Sequence, residues 1–107
     1  GARVYATPAL VRDIEIACRE LLLGHLDAGE DSVGMRVELD HLAPTLLGMK
    51  VRIEAKIAEV KGRAVTFEVS AVDPVEPIGR CRHSRFIVDL RQTEQRLAAK
   101  AQKAKAA

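Results

Sequence analysis

Apolar positions recur at helical spacing through residues 7–24. At about 100° per residue, Leu10, Ile14, Ala17, Cys18 and Leu21 fall in one stripe, while Arg12, Arg19 and Glu20 point away. Thr7 suits a helix cap, Pro8 the first helical position and Gly24 a left-handed stop, so start and end signals agree. Ile16 is apolar on the otherwise polar side, which calls for partial cover by another element or subunit.

Beyond the loop 25–32, rich in glycine and acidic residues, the period falls to two. Val33, Met35, Val37, Leu39 and His41 alternate with Gly34, Arg36, Glu38, Asp40 and Leu42, a strand whose apolar face ends on an imidazole. Ala43-Pro44-Thr45 breaks the ladder. Val51, Ile53, Ala55 and Ile57 then mark a second strand, Lys61-Gly62-Arg63 a hairpin turn, and Val65, Phe67, Val69 and Ala71 the returning strand. A last strand is predicted over 78–90, after Asp73-Pro74 and Pro77. One long helix followed by strands on short turns predicts an α+β fold, with a central helix lying across an antiparallel sheet. Four strands make a thin sheet with bare edges, so a further strand upstream of residue 1, pairing between subunits, or both are expected, and with them a homodimer.

Length and composition narrow the classes. The 107 residues fit one domain over 1–90, followed by a basic Ala/Lys-rich helical tail over 91–107 with almost no apolar stripe after Leu97. Apolar residues make up 48%, and 17 Lys+Arg against 15 Asp+Glu leave +2, so charge singles out no partner. With 3% aromatics and no Trp, the chain lacks base-stacking platforms for nucleic acid, and the tail lysines Lys100, Lys103 and Lys105 read as a solvated helix end in preference to contacts with nucleic acid or an anionic surface. Apolar runs are too short to span a bilayer. Cys18 and Cys81 have no CxxC spacing and suit reduced thiols in the cytoplasm. His25, His41 and His83 have no metal-ligand spacing, so no metal or other cofactor is expected.

Polar groups on apolar faces carry what chemistry there is. His41 reads either as a satisfied core histidine or as a base; Glu15, at the border of the helix stripe, as an exposed partner of Arg19 or as a working carboxylate. Thr7 is a cap or a reactive hydroxyl. Together the three are the parts of an acyl-transfer site. Gly34, with Met35 beside it, would let a thioester or pantetheine arm approach the backbone. The run Arg80-Cys81-Arg82-His83-Ser84-Arg85 reads either as a solvated basic strand face or, through Arg82, His83 and Arg85, as contacts to the phosphates of a nucleotide-bearing ligand.

Ala6-Thr7-Pro8-Ala9-Leu10-Val11, Ile14-Glu15, Val33-Gly34, His41-Leu42-Ala43-Pro44-Thr45 and Ile78-Gly79 with His83 and Arg85 form a pattern that resembles the hot-dog-fold thioesterases of the fluoroacetyl-CoA thioesterase-like family, from Val4 to about Leu90. The resemblance implies a homodimer or tetramer with sites at the subunit interface, and hydrolysis of an acyl-CoA to free acid and coenzyme A. It implies that Thr7, Glu15 and His41 are catalytic and that Gly34 lines the acyl pocket. Cys81 stands where that family often has Gly, which bears on local pocket shape, and Gly1 stands where one pocket aromatic would fall. A general short-chain acyl-CoA, or an acyl-CoA of another class, is therefore the substrate expected. The competing readings are a non-catalytic acyl-CoA-binding dimer of the same fold and, third, hydration of an enoyl thioester.

Overall fold

The computed structural model describes residues 4–106. Helix α1 runs over Thr7–Leu23, followed by strands β1 (Glu30–His41), β2 (Arg52–Lys61), β3 (Ala64–Val72) and β4 (Pro77–Asp89), and by helix α2 (Leu90–Ala106). The four strands form one antiparallel sheet in the order β1-β4-β3-β2, with α1 laid across one face. Gly62, at φ 57°, adopts the left-handed turn that joins β2 to β3, a conformation open to glycine at no steric cost.

The core is the seam between helix and sheet. Leu10, Ile14, Cys18 and Leu22 are buried from α1, against Val65, Phe67, Val69 and Ala71 of β3 and Ile78 and Cys81 of β4. The buried row steps by four residues, so Leu22 takes the place assigned above to Leu21, which is 36% exposed. Two end signals also resolve differently. Ala6 is the N-cap and no side chain caps the helix, because Thr7 is already its first residue; Gly24 ends it at φ −63°, right-handed. The hydroxyl at Thr7 is thus left free of capping.

A β-bulge rewrites the face of β1. Gly34 pairs with Arg85 and Arg36 with Ser84, so Met35 is the unpaired extra residue. One inserted residue switches the parity of a strand. Val37, Leu39 and His41 keep their place on the helix-facing side, while upstream of the bulge that side carries Ser32 and Gly34. Val33 and Met35, expected inside, are 46% and 58% exposed. Helix α2 buries no side chain and is joined to the domain at Leu90, whose N–H donates to the Gly29 carbonyl at 2.9 Å.

Candidate active site

The start of α1 is held down from outside the helix. The Tyr5 N–H donates to the Thr45 carbonyl at 2.8 Å, Val4 bridges Leu46, and the Tyr5 hydroxyl donates to Asp13. Thr45, 2% exposed, is itself fixed by donating its hydroxyl to Asp73 at 3.0 Å. From the sheet side Gly79 sets the approach. His41 pairs with Gly79, and a Cβ built at Gly79 would stand 3.1 Å from Leu10 Cδ2, so the missing side chain lets the helix settle onto the end of β1. These contacts bring Thr7 Oγ1 within 2.8 Å of His41 Nδ1. A cavity of about 360 Å³ opens beside the pair, lined by residues 4–7 and 41–44. His41 Nε2 is buried and, among the described residues, has no hydrogen-bond partner.

Glu15 lies elsewhere. It follows Thr7 by eight residues, about 12 Å along a helix axis. There it faces Gly34: the position of an added Cβ would be 3.5 Å from Glu15 Oε2, 3.5 Å from His83 Cε1 and 3.8 Å from Arg85 Nη1. The exposed Glu15–Arg19 pair does not form, because Arg19 turns to Asp31, with N···O distances of 3.0 and 2.6 Å. The structure therefore brings Thr7 to His41 and Glu15 to Gly34, and keeps the two groups apart within one chain.

Strand alternation divides the basic run of β4. Arg82 points to the outer face, where it meets Glu59 and Glu68 at 3.7 and 3.5 Å, in a broad groove of about 940 Å³ that also holds Arg80. His83 and Arg85 point inward and are 0% and 4% exposed, so the six residues do not make one solvated basic face. Arg85 Nε donates to Ser32 Oγ at 2.7 Å and Nη2 to the Ser32 carbonyl at 2.9 Å. Its Nη1 lies 3.2 Å from His83 Nε2, and His83 Nδ1 lies 2.8 Å from the Arg36 carbonyl. Burial pulls the His83 pKa below its ordinary value, and the Arg85 charge acts in the same direction. Ser32 was hidden in the sequence because only the bulge turns it inward; a glycine within an otherwise regular strand was the available sign.

A long helix laid across an antiparallel sheet defines a hot-dog-fold protein, and here a histidine–hydroxyl pair sits where that helix starts. The chain belongs to the fluoroacetyl-CoA-specific thioesterase family, whose model matches residues 1–91. It is 36% identical over 87 residues to the fluoroacetyl-CoA thioesterase of Streptantibioticus cattleyicolor, covering 81% of this chain and 63% of that relative's length. A solved fluoroacetyl-CoA thioesterase superposes with a TM-score of 0.87 at 32% identity, over 94% of this chain and 74% of the other. A thioesterase-superfamily protein of Thermus thermophilus gives 0.92 at 32% identity, over 97% and 77%.

Proposed function

We propose that the protein hydrolyses a short-chain acyl-CoA, at sites built between two copies of the chain from Thr7, His41 and Glu15. The observation that carries this reading is the 2.8 Å contact between Thr7 Oγ1 and His41 Nδ1 beside a cavity. Nδ1 accepts the Thr7 proton, and the hydroxyl either attacks the thioester carbonyl or orients the attacking water. The coenzyme A thiolate leaves without needing a strong general acid. The first turn of α1 has no side-chain cap, so its Thr7 and Ala9 N–H groups are the donors available to the developing oxyanion. An acyl group trapped on Thr7 in rapid-quench mass spectra marks a nucleophile; its absence marks a hydroxyl that orients water.

A dimer supplies what one chain lacks. With Nδ1 as base, the imidazole proton sits on Nε2, which is orphaned here, while Glu15 of the same chain lies two helical turns from Thr7. In the proposed assembly Glu15 of a second copy completes the site. The exposed surface, 7525 Å², exceeds the roughly 5,900 Å² of a compact monomer of this mass, and Val33, Met35 and Leu42 are among the apolar side chains left uncovered. Related structures hold fluoroacetate with coenzyme A, and acetyl-CoA, which supports a short acyl chain. In this reading Gly34 and Met35 flank the acyl group, and His83 and Arg85 act from behind the pocket. Coenzyme A enters as part of the substrate, with no separate cofactor; two buried free thiols suit the cytoplasm, and no helix among the described residues is long and apolar enough to cross a membrane.

Thiol release from a panel of acyl-CoAs, acetyl through long-chain and aryl, tests the activity. Wild type releases coenzyme A, and His41→Ala falls by about 10²- to 10⁴-fold. Binding without release over hours would instead identify a non-catalytic acyl-CoA-binding dimer. Mixing His41→Ala with Glu15→Gln chains tests the shared site. Random pairing restores about a quarter of wild-type turnover if the groups come from different chains, because half of the dimers are mixed and each has one intact site. No restoration means one chain supplies all three.

A further inference from the structure

We infer that His83 is a positioning residue that acts on Glu15 through Arg85. The inference rests on the role proposed for Glu15, and its starting point is the fixed roles of the two atoms that His83 touches. The Arg36 carbonyl only accepts, so His83 Nδ1, 2.8 Å away, carries the proton; a guanidinium only donates, so His83 Nε2, 3.2 Å from Arg85 Nη1, is the bare lone pair. One tautomer of neutral histidine satisfies both. Phe67, stacked on the ring at a centroid distance of 6.4 Å, closes the side toward β3.

With Ser32 taking Nε and Nη2, the guanidinium is gripped at all three nitrogens, and its plane is set by β1 and β4 together. Arg85 Nη1 and Glu15 Oε2 both border the space above Gly34. The ion pairs among the described residues do not join them, although the Glu15 charge acts on Arg85, so Arg85 is a fixed positive wall beside the carboxylate and not a clamp on it. The charged groups facing His83 are Arg85 on its own strand and Glu15 on α1; β1 offers the Arg36 carbonyl and β3 an aromatic ring. His83 thus completes the hold on a buried cation beside the carboxylate of the site, taking the one nitrogen that Ser32 leaves free. Protonating Nε2, or removing its lone pair, releases the Nη1 end of the guanidinium.

Two neutral substitutions separate this role from simple structural support. The amide of His83→Asn can mimic the Nδ1–H toward Arg36 but offers nothing at Nε2. The amide oxygen of His83→Gln reaches toward Nε2 and can accept from Arg85, while the Arg36 contact is lost. The expected result on the acyl-CoA turned over fastest by wild type is a kcat lower by about 10²-fold with KM unchanged in His83→Asn, and most of the wild-type kcat retained in His83→Gln, although both melt earlier. Equal kcat losses tracking equal losses of stability would overturn the inference. Nitrogen NMR of the unmutated protein at pH 7 gives a readout that needs neither turnover nor a variant: His83 must be the neutral Nδ1–H tautomer, and an Nε2–H or doubly protonated ring refutes the assignment. If wild type hydrolyses no thioester, the proposed function fails by itself, and the Glu15 carboxyl resonance still decides this point: it shifts in His83→Asn and holds in His83→Gln if His83 acts through Arg85.

Discussion

Gly34 shows how much one missing side chain does. A Cβ there would meet Glu15 Oε2 and His83 Cε1 at 3.5 Å, ordinary contact distances, and the backbone is not in the left-handed region. Gly34→Ala should therefore fold and gain about 0.4–1 kcal/mol of stability by restricting the unfolded chain. The methyl would also fill the space between carboxylate, imidazole and guanidinium, so thioester turnover is expected to fall while the urea midpoint rises. A variant that loses stability, or keeps full turnover, contradicts this reading of the gap. Residue types alone made Thr7, Glu15 and His41 legible as chemical groups. Their partners were not legible, because Thr7 meeting His41 and Arg19 choosing Asp31 over Glu15 depend on contacts 34 and 12 residues apart in the chain.

At the scale of elements, the helix–sheet distance at the Thr7 end is set by Gly79. Its Cβ would stand 3.1 Å from Leu10 Cδ2, closer than ordinary contact, and Leu10 is fully buried in the core. Gly79→Ala should cost about 1–3 kcal/mol through overpacking. It should also separate Thr7 from His41, lowering turnover beyond what the stability loss accounts for; a thermal melt and a thiol-release assay on the same sample check both. An unchanged melting midpoint would mean that α1 sits more loosely than the packing implies. The bulge works at this scale too. Deleting Met35 would restore strict alternation and turn Ser32 and Gly34 away from the helix, along with the anchor of Arg85.

Across the whole molecule, buried titratable groups give stability a characteristic pH profile. His83 has a folded pKa below the ordinary 6.5, so the unfolded chain binds the proton more readily, and stability is complete above about pH 6.5 and declines as pH falls below it. Asp73, held low mainly by the Val75 and Glu76 N–H groups, and Asp31, held low by Arg19, add a second loss below their ordinary 3.8. On the alkaline side burial pushes Cys18 up to about 12 and Cys81 up to about 11, so the fold disfavours their thiolates and weakens as pH rises above 9.0. Urea midpoints from pH 3 to 10 should trace a plateau between about 6.5 and 9, and His83→Gln should remove the first acid step alone. A flat profile between pH 7 and 5 would show that His83 titrates in the fold as it does in the open chain.

The sequence by itself determined the helix, the four strands, their turns and the α+β class, because each follows from local periodicity and from turn residues that act within a few positions. It also determined the family resemblance, carried by Thr7, Glu15, Gly34, His41, His83 and Arg85 in order along the chain. Tertiary structure alone decided which of those residues meet. A single unpaired residue in β1 chose the strand face, alternation along β4 buried His83 and Arg85 while leaving Arg80 and Arg82 exposed, and about two helical turns separated Glu15 from the pair it is proposed to serve. The reason is physical. Periodicity fixes the direction of a side chain relative to its own element, whereas its partner is fixed by how elements register and pack, and those contacts join positions far apart along the chain.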